Sequence, residues 1–181
     1  MGGYELIAIV VFFLIGYWLV DYFWPKKKGD ADPARVTVRV SRRFEAAPER
    51  VFDAWLDAKS AGAWLFATPE GQMVRVEIDA RVGGTYTLVD RRNGEDIEHT
   101  GEYLGIERPR RLAFNFRVPK FSNEATLIRI DIAPAGAGSE LTLVHEGVLP
   151  EYAERTEQGW QGILEGLEKS VRGSWANVTD R

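Results

Sequence analysis

Residues 159–171 read GWQGILEGLEKSV, and their apolar side chains recur every three or four positions. This spacing is typical of a long helix with one apolar face. The face consists of Trp160, Ile163, Leu164, Leu167 and Val171. Because such a helix must bury its apolar face against another layer, we expect the rest of the domain to form a sheet that covers it.

Upstream of this helix, apolar and polar residues alternate, which predicts strands with one buried face. The first strand is predicted over residues 35–45. Further strands are predicted from residue 72, through residues 86–88, and over residues 98–107, 111–118, 125–133 and 140–146. Gly83-Gly84 and Asn93-Gly94 supply turn residues for hairpins between them.

Two short helices are predicted after the first strand. Pro48 begins one of them, because proline suits the first helical position, and the other is predicted over residues 57–66. An antiparallel sheet of this length must curl, and its apolar concave face needs a cover. The sequence therefore predicts an α+β fold, in which a curved antiparallel sheet of six to seven strands surrounds the long carboxy-terminal helix.

The composition excludes several classes of function. The chain has 181 residues, a formal net charge of −4 and no cysteine. The acidic balance argues against nucleic acid as a partner, since nucleic-acid-binding proteins carry a basic surface. The lack of cysteine excludes Cys-ligated zinc, iron–sulfur clusters and thiol catalysis.

The amino-terminal segment differs from the rest of the chain. Residues 4–24 read YELIAIVVFFLIGYWLVDYFW, and residues 6–20 carry no charge. As a helix these 21 residues would span about 32 Å, which matches the hydrocarbon core of a bilayer. A cleaved signal peptide fits less well, because no basic region precedes the apolar run and no small-x-small site follows it. The segment is predicted to be a single-pass transmembrane helix that contacts the lipid bilayer.

The charges beside this segment predict its orientation. Lys26, Lys27 and Lys28 follow the apolar run directly, and no lysine or arginine precedes it. The positive-inside rule then places the carboxyl side in the cytoplasm, with the anchor in the cell (inner) membrane. We expect an anchor with its basic stop over residues 1–28, a linker over 29–35, the folded domain over 36–173 and a tail over 174–181.

An ordered set of motifs runs through the folded domain. It consists of RFEAAPERVF at residues 43–52 with Trp55, then Trp64, VGGTY at 82–86, GEY at 101–103, PRRL at 109–112, LTLVHEG at 141–147, and GW at 159–160 leading to Leu164 and Leu167. This set resembles the AHSA type (activator of heat-shock protein 90 ATPase homologue) of the START-like SRPBCC superfamily, over about residues 36–173. The resemblance implies a helix-grip fold with a cavity between the sheet and the long helix. It does not imply one activity, because members include small-ligand carriers and polyketide cyclases.

The apolar residues of the helix and the sheet predict what lines this cavity. Trp160 begins the apolar face of the helix, and His145 is in phase with Leu141 and Leu143 on a predicted strand. We expect an apolar pocket of roughly 300–1,000 Å³ that binds a hydrophobic small molecule. The candidate ligand-binding residues are Trp64, Tyr86, Phe114, Phe116, His145, Trp160 and Leu164.

The sequence leaves three classes of function open. A ligand-binding module is favoured, because no convergent catalytic set is visible and we expect no cofactor. A cavity enzyme of the cyclase or hydrolase type would use His145 and a carboxylate such as Glu102. A chaperone- or partner-binding regulator of the Hsp90-activator type would show a large exposed apolar patch.

Two candidate sites have a simpler interpretation. A lone histidine on an apolar face, such as His145, is more often a hydrogen-bonded core residue than a catalytic one. Residues 95–99 (EDIEH) offer metal ligands, but they follow an Asn-Gly turn and lack the spacing of a known metal motif, so we expect no metal site. Gly159, Gly162 and Gly166 in the last helix indicate either close packing or room for a ligand.

Overall fold

A seven-stranded antiparallel sheet forms the larger layer of the domain. The computed structural model describes residues 34–173. The elements in chain order are β1 (Val36–Phe44), α1 (Pro48–Leu56), α2 (Ala58–Ala61), β2 (Gln72–Ile78), β3 (Thr85–Arg92), β4 (Glu95–Glu107), β5 (Arg111–Phe116), β6 (Thr126–Ala135), β7 (Gly138–Val148), a 3₁₀ turn (Pro150–Tyr152) and α3 (Ala153–Gly173). The strand order is β1-β7-β6-β5-β4-β3-β2, so β1 and β2 form the two edges. The predicted α+β architecture is confirmed.

The alternation of the sequence determines which face of the sheet is buried. On β6, Ile128, Ile130 and Ile132 are almost fully buried, and their cross-strand partners on β7 are His145, Leu143 and Leu141. Each fully buried aliphatic side chain of this kind stabilises the fold by about 1.5–3 kcal/mol. The inner face of the sheet is therefore a continuous apolar surface that needs a cover.

Helix α3 supplies that cover. Trp160, Leu164, Leu167 and Val171 are buried, as the helical spacing predicts. An ion pair joins α3 to the edge strand, since Arg42 Nε on β1 donates to Glu168 Oε2 at 2.7 Å. The sheet and this helix together form the core of a helix-grip fold.

Helix α2 is shorter than predicted. It spans only Ala58–Ala61, with the Asp57 side chain accepting from the backbone N–H groups of Lys59 and Ser60 at its start. The prediction of a helix over residues 57–66 was wrong because the chain turns after Ala61, and Phe66 has a φ of 59°, which no right-handed helix contains. The predicted burial of Ala61, Trp64 and Leu65 is nevertheless observed.

The two predicted glycine turns have different structures. Asn93 and Gly94 both have positive φ and join Arg92 to Glu95, as in the two-residue turns that suit hairpins. Strand β4 therefore begins at Glu95, three residues earlier than predicted. Gly83 and Gly84 instead pair with Tyr103 on β4. The Gly83 N–H donates to the Tyr103 carbonyl, and the Tyr103 N–H donates to the Gly84 carbonyl, with N···O distances of 2.8 and 2.9 Å.

The membrane-spanning prediction concerns residues that the structure does not describe. Over residues 34–173, no helix combines the length and the apolar character that crossing a membrane requires. The predicted span at residues 4–24 and the tail at 174–181 lie outside the described residues.

Candidate ligand-binding site

The seven candidate ligand-binding residues all lie in the interior. Their exposed fractions are between 0 and 8%; the residues are Trp64, Tyr86, Phe114, Phe116, His145, Trp160 and Leu164. The aromatic ones meet edge to face, with 5.5 Å between the ring centroids of Tyr86 and Phe114 and 6.5 Å between those of Phe116 and Trp160. The structure brings these residues into one core, and their role in ligand binding stays a prediction.

His145 lies at the centre of a chain of hydrogen bonds. Trp160 Nε1 donates to His145 Nδ1 at 3.0 Å, and His145 Nε2 lies 2.8 Å from the Thr126 hydroxyl oxygen. The Thr126 hydroxyl donates to the Phe116 carbonyl at 3.1 Å, so its oxygen accepts from the His145 ring. Both ring nitrogens are therefore used, and the neutral tautomer carries its hydrogen on Nε2.

Protonation of His145 is unfavourable in this arrangement. Burial lowers the pKa of His145 from 6.5 to about 4. A second hydrogen on Nδ1 would also face the indole N–H of Trp160, which is itself a donor. His145 therefore resembles a hydrogen-bonded core histidine that orients Trp160 more than it resembles a general base.

A second aromatic cluster lies beside Trp160. The Phe66 ring is stacked on the His99 ring, with 4.5 Å between centroids and 6° between planes. Phe66 also lies 5.2 Å from Phe116 and 6.0 Å from Trp160, measured between ring centroids. Burial and the nearby Arg92 lower the pKa of His99 to about 3, so this ring is neutral at physiological pH.

His99 is a site residue that the sequence interpretation missed. That interpretation treated residues 95–99 as one cluster directly after an Asn-Gly turn, where charged side chains are normally solvated. In the structure Glu95 pairs with Lys120 and Asp96 pairs with Arg91 on the surface, whereas His99 is 5% exposed. The signal was present, because His99 alternates in phase with Ile97 and Tyr103, and a two-residue turn at Asn93-Gly94 puts all three on the inner face.

Hydrogen bonds to a buried ion pair on β3 join the segment before β2 to the sheet. Asp90 Oδ2 accepts from the Thr68 hydroxyl at 2.8 Å and from Arg92 Nε at 2.6 Å. Arg92 Nη2 also donates to the Phe66 carbonyl at 3.2 Å. The Asp90 side chain is 1% exposed, so these bonds connect the Phe66 backbone to the core through charged groups.

Several polar atoms in this interior have no hydrogen-bond partner among the described residues. They are Trp55 Nε1, Trp64 Nε1, Asp90 Oδ1 and His99 Nδ1. Buried polar groups in proteins are nearly always paired, because an unpaired one costs about 1–3 kcal/mol. Two of these atoms belong to the contacting rings of Trp55 and Trp64, and His99 Nδ1 belongs to the ring that stacks on Phe66.

The hypothesis that a cavity enzyme would use His145 together with Glu102 is wrong. Glu102 is exposed, because it alternates out of phase with His99 and Tyr103, whose side chains point inward from β4. His145 is on the inner face of β7. The two side chains therefore lie on opposite faces of the sheet and cannot share a substrate in the interior.

Residues 34–173 also contain no group of three or more histidine, aspartate or glutamate side chains placed to hold a metal ion.

An open groove lies between the free edge of β1 and α3. It has a volume of about 540 Å³ and is lined by Arg39, Val40, Ser41, Arg42, Glu157, Gln158, Gln161, Gly162 and Glu165. None of the seven candidate residues lines it, and its walls are mostly polar. The groove also explains part of the glycine pattern: a Cβ on Gly162 would meet nothing within 4 Å, whereas one on Gly166 would lie 3.2 Å from Trp64 Cβ.

The fold and the aromatic interior define the class as a START-like SRPBCC domain, and comparison with known proteins identifies the family. The family model described as "Activator of Hsp90 ATPase homolog 1-like protein" matches residues 45–172, and the chain belongs to that family. The resemblance inferred from the motifs is confirmed. No curated protein matches the chain with significance.

Solved structures agree with this assignment. A protein from Chromobacterium violaceum is 31% identical, with a TM-score of 0.68, over 75% of this chain and 96% of that one. An AHSA1-like protein from Aeromonas hydrophila is 20% identical, with a TM-score of 0.66, over 77% of this chain and 94% of that one. A Staphylococcus aureus protein of unknown function is 17% identical, with a TM-score of 0.70, over 79% of this chain and 97% of that one. The last two similarities show the fold alone.

Proposed function

We propose that this chain is a membrane-tethered AHSA1-like domain that faces the cytoplasm and binds a hydrophobic small molecule between its sheet and α3. The observation that carries the proposal is the aromatic interior described above, in which several buried polar atoms have no hydrogen-bond partner among the described residues. Ligand pockets typically combine apolar walls with a few polar groups that orient the ligand.

Binding is favoured over catalysis by the state of His145. Its two nitrogens are occupied by Trp160 and Thr126, and its low pKa keeps it neutral. A general base needs a free nitrogen within reach of its substrate and a pKa near the working pH. The Asp90 carboxylate is likewise engaged by Arg92.

Binding of a protein partner is less well supported. Among the described residues, the large apolar side chains with substantial exposure are Val74, Val82 and Leu104. The pairing of Gly83 with Tyr103 brings Val82 and Leu104 close together, but a stable interface covers about 800 Å² on each partner. Two exposed side chains cover much less area than a stable protein–protein interface requires.

Native mass spectrometry of the full-length chain, extracted in mild detergent, tests the ligand. We expect a co-purifying apolar molecule that leaves on activation. Phe114→Trp should reduce its occupancy at least tenfold, because Phe114 is in the interior against Tyr86 and Trp55. The control is Val82→Trp, which adds an indole at an exposed position and should leave occupancy unchanged. Equal losses in both variants, or no bound molecule in the unmodified chain, would contradict the proposal.

The tether would serve such a ligand. Residues 25–35 are a short connection between the proposed span and β1, and fully extended they reach roughly 40 Å. The domain would then remain near the bilayer, where apolar compounds are concentrated. The tether and its orientation rest on the 21-residue segment 4–24, which is uncharged over residues 6–20, and on the three lysines that follow it.

The orientation can be measured by cysteine labelling, because the chain contains no cysteine of its own. Val82→Cys should react with a membrane-impermeant maleimide only after the cells are permeabilised. Gly2→Cys, on the other side of the proposed span, should react in intact cells. Labelling of Val82→Cys in intact cells would contradict the proposed orientation. Recovery of the labelled chain in the soluble fraction, instead of the membrane fraction, would contradict the tether.

A further inference from the structure

Phe66 has an unusual backbone conformation, and its ring lies in unusual surroundings. Its φ of 59° is in the left-handed region, which bulky residues rarely adopt. The ring nevertheless is buried, parallel to the His99 ring and within 5.2 Å of Phe116. An unfavourable backbone thus holds one aromatic ring in a slot formed by others.

Beyond Leu65, the segment that carries Phe66 is attached to the sheet by a small number of polar bonds, whereas Trp64 and Leu65 are buried in the core. Residues 62–71 connect α2 to β2 and form only turns and irregular backbone. The Thr68 hydroxyl bonds Asp90, and the Phe66 carbonyl accepts from Arg92. Gly62 and Gly71 lie at its two ends, and both approach the sheet closely: an added Cβ would be 2.9 Å from Val76 Cγ2 and 2.2 Å from Asp90 Oδ1, respectively.

An unpaired acceptor lies beside this slot. Asp90 follows Leu88 by two positions on β3, and Leu88 is the cross-strand partner of His99. Asp90 is therefore on the same face of the sheet as His99, as its diagonal neighbour, with Ile97 directly opposite it. Its Oδ1 is buried and has no partner among the described residues, although Oδ2 has two.

We propose that Phe66 occupies a slot for a planar aromatic ligand bearing a hydrogen-bond donor, and that residues 66–71 move away so that the ligand replaces the Phe66 ring while Trp64 and Leu65 stay in the core. This inference rests on the proposed ligand-binding function and names the class of ligand. The ligand ring would stack on His99 and contact Phe116, and its donor would pair with Asp90 Oδ1. Release of Phe66 would relax its left-handed backbone.

Equilibrium dialysis of the full-length chain in lipid nanodiscs tests the slot, with 1-naphthol as the probe and empty nanodiscs as the blank. Phe66→Gly removes the competing ring and accepts a φ of 59°, so we expect 1-naphthol to bind at least tenfold more tightly than to the unmodified chain. Naphthalene, which has the same rings and no donor, should bind at least fivefold more weakly than 1-naphthol.

Phe44→Ala is the matched control, because it empties an equally buried phenylalanine site on β1. It should leave 1-naphthol affinity unchanged; an equal gain would show that any new cavity binds the probe and would overturn the slot. Thr68→Val keeps the slot and removes one bond that holds the segment, so affinity should rise about threefold or more. Faster hydrogen exchange at the Gly71 amide should accompany this rise, since that amide bonds Thr68 O in the closed form.

Unchanged affinity in both the Phe66→Gly and Thr68→Val variants would refute the slot. A co-purifying molecule seen by mass spectrometry would in that case leave the proposed function intact. The absence of any bound molecule, together with no probe binding to any variant, would refute both.

Discussion

Replacing Asp90 with alanine is expected to lower the free energy of unfolding by about 3–5 kcal/mol, the usual result of removing one partner of a buried ion pair. Arg92 would keep its charge with a side chain that is 18% exposed, and the Thr68 hydroxyl would lose its acceptor. The segment that carries Phe66 would lose its attachment at the same time. Urea denaturation at neutral pH measures the difference.

The chain contains a matched control on the neighbouring residues. Arg91 and Asp96 form an equally short pair at 2.6 Å, but both side chains are about half exposed. Asp96→Ala should therefore leave the free energy of unfolding almost unchanged, because exposed ion pairs contribute little. Similar losses in the two variants would mean that the Asp90 pair has no special role, and a stable Asp90→Ala variant would remove the anchoring function assigned to it.

The elements that the sequence predicts well are those in which one local rule acts alone. Helical spacing over residues 159–171 and period-two alternation around Ile128 and Ile132 each identify a buried face without reference to the rest of the chain. Asn93-Gly94 does the same for a turn, because few residue pairs accept positive φ at both positions.

The elements that were missed depend on contacts distant in sequence. The spacing of apolar residues predicts a helix over residues 57–66, yet α2 ends at Ala61, and the Phe66 ring packs on His99 in β4. The stacking and the bond from Arg92 to the Phe66 carbonyl outweigh local helix propensity there. No pattern near residue 66 indicates a partner more than 30 positions away.

The site itself was predicted in part for the same reason. Its aromatic members follow from alternation, and so does the inward direction of His145. The bond from Trp160 to His145 forms only when α3 and β7 are in their final positions. The same positions determine that Asp90 Oδ1 and His99 Nδ1 find no hydrogen-bond partner among the described residues. Sequence therefore predicts which residues lie in the interior, whereas the structure shows which of their polar atoms are used.

The two buried histidines make stability depend strongly on pH. Their pKa values are about 4 for His145 and about 3 for His99, against an ordinary value of 6.5 in the unfolded chain. Because the folded pKa is lowered, stability is complete above about pH 6.5 and falls as protons bind preferentially to the unfolded chain. At about pH 5 the unfolded histidines are charged while the folded ones stay neutral. Each then removes about 2 kcal/mol, or roughly 4 kcal/mol together.

Urea denaturation at about pH 7.5 and pH 5 should show this loss of stability. The His99→Phe variant separates the contribution of His99 from that of His145. Phenylalanine keeps the aromatic stack on Phe66 and cannot bind a proton. The variant should therefore retain only the His145 share, about 2 kcal/mol between the two pH values. Equal stability of the unmodified chain at both pH values would mean that neither histidine is held neutral. A loss that His99→Phe leaves unchanged would assign it to other groups and place the His99 ring in contact with water.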